Sequence, residues 1–563
     1  MSQTASLSQS KPIPAFSRWI CQFPFSSGVE CVEFTIPDGN IETHPVFQHQ
    51  PAYFTYDVHG YETVTPSGDV VLQARFTPEH PGCYHYRALR GQTVIEEGFF
   101  DCVPSRHPGF VKVSQRDPRY FACTDGSSYC PIGLNLVGPS VYRLPQGDQH
   151  FITKDETATL GVNEYRRWFR LLAENGGNFT RIWLSNGYFN IEGEIAADID
   201  LLALTRLDAV VEAARENGIR LKLCFDHFRT FEPGASWALK VLRHPQSGQS
   251  PKDMDEWFTS PDWRELWLQK ISAYLARYGN DPIVMAWELW NEINACLTSH
   301  WEIARDWTRD MLRHIQPLVP KQMVVNSLGS FDAPESLTPY RDFWTDEMPF
   351  QQVHRYLDQG ASWDICHTDP VAFSLDAIQR TRRPDKPVIL AETGAVNDCH
   401  TGPFRYYRMD DRGVIFHDTT YPAFFAGAAG TGQIWHWGEY VDFKNLWSGF
   451  KPFADLVAGI QLDTENFQLL DLSSENVWIL GLKGVSHLLL WLRNKADRWD
   501  HVLRDELETP RIEPITLNRD ALGVYSGRVQ IISPFQEPLG EAVLADHQLT
   551  LPAFKYTLLV RME

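Results

Sequence analysis

The sequence predicts a multidomain protein in which a central (β/α)8 TIM barrel lies between two all-β regions. Its 563 residues are too many for one hydrophobic core. The middle of the chain alternates apolar strand-like runs with amphipathic helical patterns, whereas both ends contain only short strand-like runs separated by turn residues. We expect a disordered N-terminus at 1–16, an N-terminal β-sandwich at 17–118, the barrel at 119–455 and a small C-terminal β-sandwich domain at 456–563.

The N-terminal region is rich in β-branched and aromatic residues and shows no helical periodicity of useful length. Turn residues such as Pro37–Asn40 separate the runs, and a sandwich is the natural way to bury one face of each strand. The predicted strands are Cys31–Ile36, Ala52–Tyr56, Val70–Phe76 and Cys83–Arg87.

The barrel is predicted from eight strand candidates with helices between them. Trp263–Tyr278 and Leu204–Asn217 each carry an apolar stripe at helical spacing, and Gly279 and Gly218 follow them. Eight strands over about 300 residues fit a barrel of the usual size. The strand candidates are Cys130–Leu134, Phe179–Leu184, Leu221–Phe225, Ile283–Trp287, Met323–Asn326, Phe350–His354, Pro387–Ala391 and Gln433–Trp437.

The C-terminal region returns to strand-like runs, which predict a small β-domain packed on the barrel. The predicted strands are Asn476–Leu480, His487–Leu492, Arg528–Ile532 and Lys555–Val560.

Composition and charge exclude several classes of partner. The net charge of −20 argues against a nucleic acid or an anionic membrane, because both require a basic surface. The ten cysteines form no CxxC pair, so metal-ligand spacing is missing, while a disulfide in the N-terminal quarter is compatible with the sequence but not required. Residues 1–16 lack an apolar core of the secretory type, so we expect a cytoplasmic protein unless a leader has been removed. The 19 tryptophans suit either core packing or a sugar-binding cleft.

Two glutamates lie at the ends of predicted barrel strands. The fourth strand runs into Asn291-Glu292, and the seventh runs into Glu392. Because barrel active sites form at the C-terminal ends of the strands, both carboxyls point into one pocket from opposite sides. Two carboxyls roughly 5 Å apart around a sugar are the arrangement of a retaining glycosidase. One such glutamate alone would be interpreted as a surface residue, but two of them, one preceded by Asn, favour catalysis.

Trp290-Asn291-Glu292, with Glu392 about 100 residues further on, resembles the clan of retaining glycosidases built on the (β/α)8 barrel, and most of all glycoside hydrolase family five. The resemblance covers residues 130–440. It implies that Glu292 is the acid/base, that Asn291 binds the sugar 2-hydroxyl and that Glu392 is the nucleophile.

The same resemblance extends to other strand ends. It implies that Arg181 on the second strand keeps Glu392 ionised, since an adjacent cation stabilises a carboxylate. His354 and Tyr356 close the sixth strand, where the family has a His and a Tyr, and the tyrosine hydroxyl would steer the nucleophile.

Three further residues are assigned to substrate binding. Trp435 or Trp437 would form the floor of the −1 subsite, and His227 after the third strand would bind the sugar. Each of these alone is also compatible with a core or rim residue. Glu288, four residues before Glu292, is interpreted as a buried structural carboxylate paired with Arg181.

The N-terminal region has a resemblance of its own. Val71–Pro78, Pro81–Tyr86 and Gly109–Val113 are similar to an uncharacterised β-sandwich domain that commonly precedes barrels of this clan. The similarity supports the domain order and implies nothing about substrate.

We therefore expect a retaining glycoside hydrolase that cleaves a β-linked glycoside by double displacement, exo-acting on small oligosaccharides, of β-mannosidase, β-galactosidase or β-glucosidase type. No cofactor or metal is implied, and the sequence leaves a homo-oligomer open. Insertions at 231–262 and 396–421 would wall the cleft into a pocket. The alternatives are a transglycosylase, an α-L-arabinofuranosidase or β-galactofuranosidase, and an inactive carbohydrate-binding barrel.

Overall fold

A parallel β-barrel forms the centre of the molecule. The computed structural model describes residues 11–139, 159–227, 242–344, 346–398, 400, 402–523, 527–545 and 547–563. Five barrel strands pair in sequence order, and the sixth pairs with the seventh. These seven strands are Gly133–Asn135, Phe179–Trp183, Arg220–Asp226, Val284–Trp290, Met323–Val325, Gln351–His354 and Val388–Glu392.

The eighth barrel position is a single residue. Ile434 forms parallel bridges with Leu134 of the first strand and with Thr393 after the seventh, and so closes the barrel. The prediction of a strand over Gln433–Trp437 is therefore wrong in extent. The Trp437 N–H donates to the Trp435 carbonyl at 2.9 Å, which turns the chain into a helical segment, Trp437–Asp442, instead of extending the strand.

Helices alternate with the barrel strands and bury the stripes that the sequence predicts. The helix Pro261–Tyr278 begins at Ser260, whose side chain accepts from the Trp263 N–H, and it buries Trp267 and Tyr274 against the barrel. The helices of the barrel region are Gly161–Glu174, Leu201–Glu216, Met254–Thr259, Pro261–Tyr278, Trp301–Ile315, Leu337–Phe343, Pro370–Thr381, Val414–Thr420, Pro422–Phe425 and Lys451–Val457. Part of the predicted 231–262 insertion, up to residue 241, lies outside the described residues.

The N-terminal region contains a five-stranded and a three-stranded sheet around a shared aromatic core, in which Phe34 stacks on Phe76 with ring centroids 4.1 Å apart. A separate two-stranded hairpin pairs Ala52–Tyr56 with Glu62–Pro66. Of the predicted disordered segment, residues 1–10 lie outside the described residues, but Ile13–Pro14 pair with Cys102 and Val103, so the ordered fold starts before residue 17. The strands are Ile13–Pro14, Trp19–Pro24, Cys31–Thr35, Ile41–Pro45, Phe47–His49, Ala52–Tyr56, Glu62–Pro66, Val71–Phe76, Gly82–Arg90 and Thr93–Val103.

A small antiparallel sheet joins this region to the barrel. It consists of the strands Val111–Val113, Phe121–Cys123 and Ser128–Tyr129, so the predicted boundary at 118 cuts through it. Its apolar face packs against residues at the starts of the barrel strands, such as Phe179 and Phe350. The sheet therefore covers the N-terminal end of the barrel.

The C-terminal region forms a five-stranded and a three-stranded antiparallel sheet with a core of their own. A buried ion pair between Arg493 and Asp418, at 2.6 Å, attaches it to the barrel helix Val414–Thr420. The strands are Gln468–Asp471, Val477–Lys483, Leu488–Asn494, Ile515–Asn518, Val529–Ile532, Val543–Ala545, Gln548–Leu551 and Thr557–Met562, with one short helix, Arg519–Leu522.

Two expectations about chemistry and membranes can be compared with the described residues. The nine cysteines among them are free thiols, so no disulfide forms there. Within the described part of the chain, no helix has the length and apolar character needed to cross a membrane.

Candidate active site

The fourth barrel strand carries Glu292 two residues beyond its end at Trp290. Hydrogen bonds fix the backbone here: the Asn291 N–H donates to the Asp226 carbonyl at 2.7 Å, and the Glu292 N–H donates to Ser327 Oγ at 3.1 Å. Glu292 has a φ of 51°, in the left-handed region of backbone conformation that residues other than glycine rarely adopt. The surrounding strands thus hold this glutamate in a strained conformation that aims its carboxyl into the barrel mouth.

Glu392 is the last residue of the seventh strand and faces Glu292 across the mouth. Carboxylate oxygens of the two glutamates and a ring nitrogen of His354 all lie within 4.8 Å of one another. Carboxyl groups about 5–5.5 Å apart are typical of retaining glycosidases, whereas inverting enzymes separate them by about 6.5–9.5 Å to admit a water. The spacing is that of a double-displacement site.

Arg181 connects the groups beneath the mouth. Its Nη1 donates to Glu392 Oε1 at 2.6 Å, and its Nη2 donates to Asn291 Oδ1. The other Glu392 oxygen accepts from the Tyr356 hydroxyl at 2.5 Å. Both oxygens of Glu392 are therefore held by donors, one of them charged, which fixes the orientation of this carboxyl in the mouth.

His354 lies between the two glutamates. Its Nδ1 is 2.8 Å from Glu292 Oε1 and 3.5 Å from Glu392 Oε2. Burial lowers the pKa of this imidazole to about 4, so the ring is neutral near pH 7 and links the two carboxyls without adding a fixed charge.

The electrostatics of Glu292 suit an acid. Burial raises the pKa of Glu292 from 4.5 to about 7; Arg181 opposes this shift and Glu288 adds to it. A carboxyl with a pKa near 7 is protonated often enough at neutral pH to act as an acid, and is readily ionised to act as a base afterwards. One ionised and one protonated carboxyl is what retaining hydrolysis requires.

An aromatic wall lines one side of the mouth. The His227 ring stacks on Trp183 with centroids 4.4 Å apart, and its Nδ1 lies 2.6 Å from Ser185 Oγ. Trp435 packs 4.9 Å from Trp183, and Trp437 lies edge-on to Trp435 at 5.8 Å. All three of the predicted aromatic and imidazole binding residues thus lie in one cluster, and the indole faces suit a pyranose ring.

The Asn291 amide is also placed for a ligand. Its Oδ1 is occupied by Arg181, while its buried Nδ2 has no partner among the described residues. An unused buried amide donor at the mouth suits a substrate hydroxyl, because leaving such a donor unpaired is costly.

Sequence reasoning missed a layer of polar residues deeper in the barrel: Asn135, Lys222 and Gln352, which are at most 4 % exposed. Asn135 Nδ2 donates to the carbonyls of Ala391 and Gln433 at 3.1 and 3.0 Å and so ties the first barrel strand to the seventh strand and to the eighth position. The available signal was a polar residue inside an otherwise apolar strand. Glu288 lies where the sequence predicts it, 2.8 Å from Arg181.

The barrel region is similar to known glycoside hydrolases. Residues 152–409 match the family model described as Cellulase (glycosyl hydrolase family 5). The chain is 31% identical over 216 residues to Probable mannan endo-1,4-beta-mannosidase F of Emericella nidulans, an alignment that covers 35% of this chain and 45% of the relative. It is 27% identical over 263 residues to Mannan endo-1,4-beta-mannosidase 7 of Arabidopsis thaliana, covering 41% of this chain and 58% of the relative.

The chain thus spans about half the length of the curated relatives that it matches. Among solved structures, a protein from Bacteroides vulgatus ATCC 8482 is similar in fold over nearly the whole chain, with a TM-score of 0.59, coverage of 98% of this chain and 100% of that one, and 14% identity. That likeness concerns the fold alone.

Proposed function

We propose that this chain, whose barrel is a glycoside hydrolase domain of the family 5 type, is a retaining glycosidase that acts on β-mannosides. The observation that carries the proposal is the pair Glu292 and Glu392, whose carboxylate oxygens lie within 4.8 Å of each other at the end of the barrel. The Arg181 and Tyr356 hydrogen bonds support one role for Glu392, and the raised pKa supports another for Glu292.

The two glutamates divide the reaction between them. Glu392 attacks the anomeric carbon, while Glu292 protonates the glycosidic oxygen so that the aglycone leaves as an alcohol. The Glu392–sugar ester then reacts with water, from which Glu292 removes a proton, and two inversions give net retention. The Asn291 Nδ2 donor would bind the sugar 2-hydroxyl, and the aromatic wall would carry the ring face.

Mannose is proposed for the −1 subsite because the curated relatives are named as mannan endo-mannosidases. β-Glucosides and β-galactosides, which the sequence leaves equally open, are the competing substrates in the test below.

We propose action at chain ends, since contacts raise the walls of the mouth on two sides. The N-terminal hairpin residue Glu62 accepts from the Tyr188 hydroxyl, in the segment after the second strand, at 2.6 Å. On the other side, His400 after the seventh strand contacts Asp358 after the sixth. Walls on both sides favour a pocket over the open groove that an internal cut requires.

The direct test uses nitrophenyl β-mannoside, β-glucoside and β-galactoside, with the anomer of the first product followed by proton NMR. We expect the β-mannoside to have the largest kcat/KM and the β-anomer to form first. An α-anomer would contradict the double displacement, and preference for another sugar would contradict the mannoside assignment. Mannotetraose separates the modes of attack: release of mannose alone indicates chain-end action, and early mannobiose indicates internal cleavage.

The pH dependence follows from Glu292. The first step needs its protonated form, and burial raises its pKa to about 7, so kcat/KM should fall as the pH rises through about 7. An activity that stays level up to pH 9 would show that another group donates the proton.

A further inference from the structure

A layer of buried charges lies directly beneath the catalytic pair. Arg181, Lys222 and Glu288 are each 0% exposed and come from the second, third and fourth barrel strands. The proposed mechanism uses Arg181 but gives no task to Lys222 or Glu288. Burying charges is costly unless each is compensated, so the presence of these three charged residues in the barrel interior needs an explanation.

Glu288 fixes the direction of the Arg181 guanidinium. The ion pair joins Arg181 Nε to Glu288 Oε2 at 2.8 Å, although the contact is not aligned as a hydrogen bond. Because the guanidinium is planar and rigid, placing Nε determines where Nη1 and Nη2 point. Those two nitrogens are the ones that reach Glu392 and Asn291.

Glu288 is itself held from the opposite side. Gln352 Nε2 donates to Glu288 Oε1 at 3.2 Å, and Lys222 Nζ lies 3.7 Å from Glu288 Oε2. Lys222 Nζ also donates to Gln352 Oε1, so the three side chains form a closed cluster. Burial by itself would raise the pKa of Glu288, but Arg181 and then Lys222 outweigh it and lower that pKa to about 2.

The charges in this layer balance before Glu292 ionises. At neutral pH the positive charges of Arg181 and Lys222 offset the carboxylates that they contact, and His354 is neutral. Burial lowers the pKa of Lys222 to about 8, so its contribution is present below that pH. Ionising Glu292 would therefore add an uncompensated negative charge to a buried site. The titratable or charged groups around Glu292 are Arg181, Glu288, His354, Tyr356 and Glu392, with Asp332 and Tyr340 after the fifth strand. Lys222 contacts Glu288, with its Nζ 3.7 Å from Glu288 Oε2.

We propose that Glu288 and Lys222 are positioning residues for the reaction: Glu288 aims Arg181 at Glu392 and Asn291 and its negative charge disfavours ionisation of Glu292, whereas Lys222 holds Glu288 and opposes that electrostatic effect. The inference rests on the proposed glycosidase function. It assigns opposite electrostatic effects to two residues that touch no substrate, which a purely structural role would not produce.

The test measures kcat/KM against pH on nitrophenyl β-mannoside for the wild type, Glu288→Gln, Lys222→Met and the double variant. Removing the Glu288 charge stabilises ionised Glu292. The basic limb of the pH profile, which is the pH range in which kcat/KM falls, should therefore move to lower pH by about half a unit or more. Removing the Lys222 charge acts in the opposite sense, and that limb should move to higher pH by a smaller amount. The double variant should return it toward the wild-type position.

Turnover gives the second readout. Glu288→Gln should also lower kcat about tenfold, since Arg181 loses its anchor. Gln352→Met is the matched control, because it removes the amide that donates to Glu288 without changing any charge. It should lower kcat severalfold and leave the basic limb in place.

The outcomes separate this inference from the proposed function. A wild type that turns over none of the nitrophenyl glycosides contradicts the function. An active wild type whose two single charge variants leave the limb unmoved, or move it in the same direction, overturns the inference alone. Infrared titration of the Glu292 carboxyl, with Glu292→Ala as the blank, gives the same shifts without turnover, and circular dichroism identifies a variant that does not fold. If Glu288→Gln does not fold, Lys222→Met and Gln352→Met still test the inference.

Discussion

The two ends of the barrel are built from the same strands and have opposite chemistry. At the closed end, the starts of the strands contribute apolar side chains such as Phe179, Met285 and Phe350, which pack under the small sheet that carries Phe121. At the catalytic end, the same strands finish in a charged cluster that includes Arg181.

Stability and reactivity therefore depend on opposite ends of this barrel. The closed end removes apolar surface from water, whereas the catalytic end concentrates buried charge and a left-handed Glu292. Substitutions at the closed end should therefore change the free energy of unfolding and spare turnover, and substitutions at the catalytic end should do the reverse.

The largest effect is expected at the catalytic end. Glu392→Gln removes the nucleophile in an isosteric side chain, and kcat/KM should fall by about ten-thousandfold, which corresponds to about 5 kcal/mol of activation free energy. Thermal unfolding should show a Tm no lower than that of the wild type, because Arg181 retains Glu288 as a partner. Turnover within tenfold of the wild type would remove Glu392 from its proposed role.

The next effect belongs to the closed end. Phe121 is 0% exposed and packs edge-on against Phe350 with centroids 5.4 Å apart. Phe121→Ala should cost about 4 kcal/mol of unfolding free energy, measured by denaturant titration, with kcat unchanged. Ile41→Ala, at a side chain 58% exposed, is the control and should leave both quantities alone. A large loss of kcat in Phe121→Ala would show that the two ends are not separate.

A smaller effect is expected for the acid/base. Glu292→Ala should lower kcat on a nitrophenyl glycoside about a hundredfold, about 3 kcal/mol, because nitrophenol leaves without much protonation. The loss should be larger on mannotetraose, whose leaving sugar needs the proton. Added azide should restore part of the turnover on the nitrophenyl substrate, since it attacks the glycosyl ester without a base. Equal losses on both substrates would contradict the assignment.

The smallest effect is expected for Glu62, which makes a structural contact at the catalytic end of the barrel. Glu62 accepts from the Tyr188 hydroxyl at 2.6 Å and from the Val162 N–H at 2.8 Å. Glu62→Gln should cost about 1 kcal/mol of stability. It should raise KM for mannotetraose while sparing the nitrophenyl glycoside, which is too short to reach this wall. An unchanged ratio of the two KM values would place Glu62 outside the substrate path.

The sequence predicted the barrel strands well where local signals agree. Phe179–Trp183 and Val388–Glu392 lie within one or two residues of their predicted positions, since buried parallel strands are continuous apolar runs. Gln433–Trp437 has the same apolar pattern and is a strand only at Ile434, because the following hydrogen bonds turn the chain. Pattern alone does not contain those bonds.

The sequence by itself determined the barrel and the positions of Glu292 and Glu392 at strand ends, because each follows from spacing along one strand or from a local motif. Only the tertiary structure decided the environment of the proposed acid, Glu292. The proton on Glu292 depends on its burial and on Arg181 and Glu288, which reach it from two different strands. Lys222 and Gln352 join that layer through contacts across the barrel, and distances between strands are set by closure of the sheet rather than by the sequence of any one strand.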